Sequence, residues 1–190
     1  MKSFLLALLI SIFTFSPAFA KSLVVVFSRA DENYSVGKIT KGNTMILAEY
    51  IANKTGSELF EIVPAKKYPA NYKACTDLAQ EELRINARPE IIGDKNLDEY
   101  DTIFLGYPIW WGDLPMCVYT FLEKHDFNGK TILPFATHEG SGMGRTEGAL
   151  KQNLPGAAIY KGLAVRGSTA QNSTDKAKKQ IDDWLKSSKI

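Results

Sequence analysis

Residues with strong local chemistry are scarce. The 190-residue chain has only two cysteines and two histidines. Cys75, Cys117, His125 and His138 show no zinc-ligand spacing, so no metal centre is expected. Two cysteines build no disulfide framework; a single Cys75–Cys117 bridge and two separate buried thiols both stay open. Charge of one sign is also lacking. Lys and Arg number 23 against 21 Asp and Glu, a net +2 that argues against nucleic acid or another polyanion as partner. There is no internal repeat, no GxxxxGK[ST] loop and no GxGxxG fingerprint. A serine nucleophile elbow is equally unsupported, because Glu139 stands where GxSxG around Ser141 needs glycine.

Long apolar runs are missing too, except one. Residues 4–15 are almost unbroken in apolar character, follow Lys2, and give way to Ser16-Pro17 and then Ala18-Phe19-Ala20. A membrane-spanning helix needs about 20 such residues. A short positive start, a short apolar stretch and a small-x-small ending describe a secretory signal peptide, with cleavage after Ala20. The expectation is therefore a signal peptide over 1–20, one domain over 21–190, a periplasmic or secreted location, and no stable membrane anchor after cleavage. No twin arginine is present, which predicts export as an unfolded chain.

What remains alternates between strands and helices. Residues 23–27 form a valine-rich run suited to a strand buried on both faces. Strands are also predicted over 57–63, 102–105, 131–136 and 157–165. Helices are predicted over 44–55 (stopped by Gly56), 71–85, 115–124 (opened by Pro115), 146–154, and near the C-terminus, where Ala177, Ile181, Trp184 and Leu185 share a face. Five strands and five helices in alternation predict an α/β domain: a doubly wound, five-stranded parallel sheet with helices on both faces. In such sheets, ligands sit beyond the carboxyl ends of strands where the strand order switches.

Three loops that follow strands carry the candidate chemistry. The first runs from Ser28 and Arg29 to Gly42-Asn43-Thr44 at a helix N-terminus, where hydroxyls, an amide and free N–H groups suit a phosphate; ordinary N-capping explains the same residues. The second is Tyr107-Pro108-Ile109-Trp110-Trp111-Gly112. Adjacent residues of a strand point to opposite faces, so the two tryptophans cannot both face inward, and one is offered to a flat ligand or plugs the end of the core. The third is Thr137-His138-Glu139-Gly140-Ser141-Gly142-Met143-Gly144, whose glycines let the backbone approach a ligand. His138 suits a structural hydrogen bond that holds this loop, or a proton relay. In strand order 2-1-3-4-5 the three loops converge on one rim, and a phosphorylated flat heterocycle fits them, FMN best of all.

With these residues in place, the chain resembles the flavodoxin family over residues 23–185, in particular flavodoxin-like proteins with a GYPIWWG loop. The resemblance implies the flavodoxin-like fold and non-covalent FMN. It would place Ser28, Arg29, Asn43 and Thr44 at the phosphate. Pro108, Ile109, Trp110, Trp111 and Gly112 would lie along the flavin ring. Thr137, His138, Glu139, Gly140, Ser141 and Gly142 would lie at its pyrimidine end and edge. It implies electron transfer or reduction of quinones and similar small acceptors, with a redox protein or small molecule as partner. Two alternatives stand beside it: an NAD(P)H-dependent quinone reductase in which His138 or Tyr107 assists proton transfer, and a non-catalytic binding protein using the same pocket. The chain departs from simpler flavodoxins by an insertion over residues 31–41 and by a pI near 8.4 where many are acidic.

Overall fold

The computed structural model describes residues 21–189; the expected signal peptide lies outside them. The central sheet consists of β1 (Lys21–Val26), β2 (Glu58–Glu61), β3 (Tyr100–Pro108), β4 (Thr131–His138) and β5 (Leu163–Arg166). All its pairings are parallel, and the spatial order is β2-β1-β3-β4-β5. This is the 2-1-3-4-5 order of the flavodoxin-like fold.

Alternation along the strands divides the core in two. Val24 and Val26 of β1, with Phe104, Leu133 and Phe135, face α1 (Asn43–Thr55), α5 (Gly167–Asn172) and α6 (Thr174–Ser187). Leu23 and Val25, with Ile103, Leu105 and Ile132, face α2 (Tyr72–Arg84), α3 (Met116–Lys124) and α4 (Thr146–Asn153). The stripe read from the sequence of α6 is its buried face, with Ala177, Ile181, Trp184 and Leu185 all inside. Each large apolar side chain so buried contributes about 1.5–3 kcal/mol. Gly56 stops α1 in the left-handed region, at φ 67°. Cys75 and Cys117 are both buried and unpaired, in the core between α2, α3 and the sheet.

Three departures from the sequence reading have local causes. The last strand is not continuous over 157–165: Ala158–Ile159 pairs with β4, the chain leaves the ladder, and β5 resumes at Leu163. Tyr160 N–H reaches Ile132 O, but the return rung would come from residue 134, a proline without an N–H. Gly162 N–H turns instead to Glu147 Oε1 at 2.7 Å. Second, the insertion is a hairpin, Asp31–Asn33 against Gly37–Ile39. Third, α5 is a sixth helix absent from the sequence reading. Its sequence, GSTAQN, has little helix propensity and no apolar stripe, and its support is tertiary.

Close packing at the centre of the sheet demands glycine at one position. A methyl group on Gly106 of β3 would lie 2.2 Å from Cζ of Phe135. The ring is fully buried and has nowhere to go. Gly106→Ala is expected to cost about 1–3 kcal/mol by overpacking, measured by urea denaturation, and Phe135→Leu in the same chain should recover part of the loss.

Candidate functional site

The carboxyl ends of β1, β3 and β4, the first turns of α2 and the start of α1 enclose a cavity of about 290 Å³. It opens where the strand order reverses between β1 and β3. Of the residues singled out from the sequence, Arg29, Asn43, Pro108, Ile109, Trp110, Trp111, Thr137, His138 and Glu139 line it. Ser28, Thr44, Gly112, Gly140, Ser141 and Gly142 lie outside that lining, and most of them shape it from behind.

At one end, α1 begins against the β1 loop. Gly42 lets the two meet, since a Cβ there would stand 2.3 Å from Ser28 Oγ. Ser28 Oγ accepts the Met45 N–H at 3.0 Å and so caps α1. Thr44 is buried, its hydroxyl 2.7 Å from that of Thr137 on β4. The N–H groups of Asn43 and Thr44, in the first turn, have no intrahelical acceptor and carry the positive end of the helix dipole. The Asn43 Oδ1 accepts from Gln171 of α5 at 2.9 Å. Arg29 is differently employed from the sequence reading. Its Nη1 donates to Glu32 O at 2.6 Å, and its Nη2 to Pro69 O and Ala70 O at 2.6 and 2.8 Å. Its Nε is buried and without a partner.

The second loop forms the aromatic wall. Ile109 N–H donates to Thr137 O at 2.9 Å, which continues the β3–β4 ladder past the strand. Trp110 and Asp113 then exchange two backbone hydrogen bonds, each 3.0 Å, around Trp111 at φ 52° and Gly112 at φ 77°. Two left-handed residues in a two-residue turn are the pattern of a type I′ hairpin, which usually selects Asn-Gly. The tryptophans part at this turn. Trp110 is half-buried, edge-on to Phe27 and Tyr68 with centroids 5.3 and 4.8 Å away. Trp111 is 51% exposed and donates Nε1–H to Thr76 O of α2 at 2.9 Å.

Asp113 holds this turn in place. It is 4% exposed; Oδ1 accepts the Leu114 N–H at 2.8 Å and the Tyr119 hydroxyl at 3.0 Å, and Oδ2 accepts Nε and Nη2 of Arg145, both at 2.8 Å. Arg145 N–H also donates to Gly112 O at 2.9 Å. A Cβ on Gly144 would fall 2.3 Å from that same carbonyl, so the loops after β3 and β4 touch backbone to backbone.

In the third loop, His138 Nδ1 accepts the N–H groups of Gly140 and Gly142 at 2.8 and 3.1 Å. The ring must be neutral to accept them. Burial, reinforced by the positive Arg166, holds its pKa below the ordinary histidine value. Glu139 turns to α5: its carboxylate accepts the Ser168 N–H and hydroxyl and lies 3.6 Å from Arg166. A negative group at a helix start is favourable, and here it orders a segment with weak propensity of its own.

The sequence reading missed the opposite side of the cavity. Asn33 and Tyr34 come from the inserted hairpin; Tyr72, Cys75, Thr76 and Ala79 come from α2. Those four α2 residues are spaced i, i+3, i+4, i+7, the mark of a helix face turned inward. The signal was present and indistinguishable from ordinary core packing. Burial raises the pKa of the Cys75 thiol above its usual range, so it lines the cavity in the neutral form.

Comparison with known proteins agrees with this architecture. No curated protein matches the chain. Among solved structures, a candidate flavoprotein from Bacteroides uniformis ATCC 8492 shares 31% identity, with 84% of this chain and 98% of that one covered and a TM-score of 0.64. One from Bacteroides eggerthii DSM 20697 shares 30%, with 82% and 96% covered and a TM-score of 0.63. A flavoprotein from Lactobacillus acidophilus NCFM, solved in complex with FMN, has the same fold at 23% identity, with 81% and 97% covered and a TM-score of 0.61. The flavodoxin family model matches residues 32–186, which takes in the sheet from β2 onward and the helices up to the last residue of α6, and the chain accordingly belongs to the flavodoxin family.

Proposed function

We propose that this protein binds FMN non-covalently in the cavity at the ends of β1, β3 and β4, and works outside the cytoplasm in electron transfer or in reduction of a small acceptor. One observation carries the reading: the start of α1, with its free N–H groups, and the apolar wall of Ile109 and Trp110 bound the same cavity. The Lactobacillus acidophilus relative in complex with FMN supports it, as does membership of the family. The location rests on the residue pattern over 1–20.

The donor set fits the cofactor. Asn43 and the first turn of α1 offer uncharged donors and a helix dipole to a phosphate. Arg29 braces the β1 loop through three carbonyls rather than meeting the phosphate with Nη groups. Ser28 and Thr44 fix α1 against β1 and β4. Ile109 and Trp110 give a flat apolar surface for a ring, and the backbone after Thr137 lies beside them. Bound FMN supplies the capacity to take up and release one or two electrons. No general acid is needed for that exchange; the chain's part is to hold, orient and shield.

The direct experiment is titration of the chain from Lys21 onward with FMN, followed by flavin fluorescence. Saturable quenching with Kd below about 10 μM is expected; no saturable quenching in that range overturns the reading.

Asp113 and His138 give two further expectations. Asp113→Ala strands the buried Tyr119 hydroxyl and Leu114 N–H and frees Arg145. A stability loss of about 1–3 kcal/mol is expected in urea denaturation, accompanied by weaker FMN binding. For His138, the native pKa lies below that of the unfolded chain, so acidification favours protonation of the unfolded chain and of any opened loop. The loop's contribution is complete above about pH 6.5 and declines as pH falls from there toward the native pKa. FMN affinity should fall only at lower pH, where the native ring itself takes up a proton and can no longer accept the loop N–H groups, and stay nearly level in His138→Gln, measured by fluorescence titration at a series of pH values.

A further inference from the structure

The sheet opens a second time, between β1 and β2. Phe27 N–H carries β1 on toward β3, donating to Gly106 O at 2.9 Å, while Ile62 N–H still reaches Val26 O at 2.8 Å. Beyond that rung the two chains part. Val63–Pro64 turns away from β1 and pairs with Ile91–Ile92. Farther out, Asp31 and Lys67 bring the two segments together again through an ion pair of 3.0 Å. Between these ties lies a cavity of about 330 Å³. Sites for small molecules begin at about 300 Å³.

This cavity is distinct from the candidate cofactor cavity. Its apolar walls are Phe27, Ile62, Pro64 and Tyr68, with Val63 partly open to solvent. Phe27 and Tyr68 stand edge-on to Trp110, and this layer of rings separates the two spaces. Arg29 lines both.

Four charged residues line the second cavity: Arg29, Asp31, Glu61 and Lys67. Three of them are already committed. Arg29 spends both Nη atoms on carbonyls, and Asp31 and Lys67 hold one another. Glu61, the last residue of β2, makes no hydrogen bond or ion pair among the described residues. Its side chain is open to solvent, yet the protein around it removes enough water to raise its pKa above the ordinary carboxylate value. A carboxylate in such a place gains from a counter-ion, and its neighbours supply none. An anion entering the cavity would find no uncommitted cation, whereas a cation would find Glu61.

We propose that the cavity between β1 and β2 binds a small organic cation, a primary ammonium carried on a compact apolar body. The ammonium pairs with the Glu61 carboxylate, and the apolar body lies against Phe27, Ile62 and Tyr68. The site does not depend on the FMN reading, since no residue of the α1 start or of the loops after β3 and β4 takes part in it.

The test is an NMR titration of the ¹⁵N-labelled protein with phenethylammonium. Saturable shifts are expected at the N–H groups of Ala30, Ile62 and Lys67, with Kd below about 1 mM, as suits a ligand of this size. The anion 3-phenylpropanoate, which carries the same phenethyl body, should show no saturation below about 10 mM. Glu61→Gln should weaken phenethylammonium about fivefold, through loss of the charged pair. The same variant should bind neutral 2-phenylethanol within about twofold of the wild type, because the apolar walls remain. Shifts confined to Gly140 and Gly142, in the loop beside the first cavity, overturn the proposal. So do equal binding of the propanoate, unchanged affinity for the amine in Glu61→Gln, and the absence of saturation by the amine below about 10 mM.

Discussion

A single buried carboxylate governs the geometry of the cavity. Asp113 sits just after the tryptophan turn, and all four of its hydrogen bonds join pieces that would otherwise move independently: the turn itself, α3 through Tyr119, and the loop after β4 through Arg145. A carboxylate so deeply placed is unfavourable unless its oxygens are filled. That requirement is what gives the arrangement its specificity. Moving the turn away from Arg145 would leave charge uncompensated in the core, so Trp110 and Trp111 keep their places. The backbone contact between Gly112 and Gly144 acts in the same sense.

The helices that complete the cavity depend on similar tertiary ties. α1 is capped from the β1 loop by Ser28, α2 from the hairpin by Glu32, and α5 from the β4 loop by Glu139. The caps of α2 and α5 come from loops remote in sequence, and Ser28 reaches α1 across the whole inserted segment. The rim is thus one connected network, in which the residues that touch a ligand are held by residues that do not.

That division explains which parts were legible from residue order. Strands such as 23–27 and the α6 stripe declare themselves because burial imposes period 2 or 3.6 on apolar residues, and the strand order followed from alternation and handedness. The loops at Gly42-Asn43-Thr44, at the tryptophan pair and after Thr137 stood out by residue type. Long-range partners had no such signature. Nothing local in Arg29 discloses that its guanidinium serves the carbonyls of Pro69 and Ala70, and nothing in GSTAQN foretells a helix awaiting Glu139. The Tyr72, Cys75, Thr76 and Ala79 face reads as core because a cavity wall and a core contact have the same spacing.

Pro134 has an effect that reaches beyond the cavity. A parallel sheet exposes two edge strands, and an unbroken edge is a template for pairing with a neighbouring molecule. Here one edge, β2, is four residues long and carries Glu58 and Glu61, with Lys95 bridged to Glu58 at 2.6 Å. At the other, the missing N–H of Pro134 lets the chain leave the ladder between Ile159 and Leu163. Neither border offers a long, uninterrupted row of donors and acceptors. A residue that weakens one pairing inside the molecule thereby guards it against strand-to-strand aggregation with its own copies.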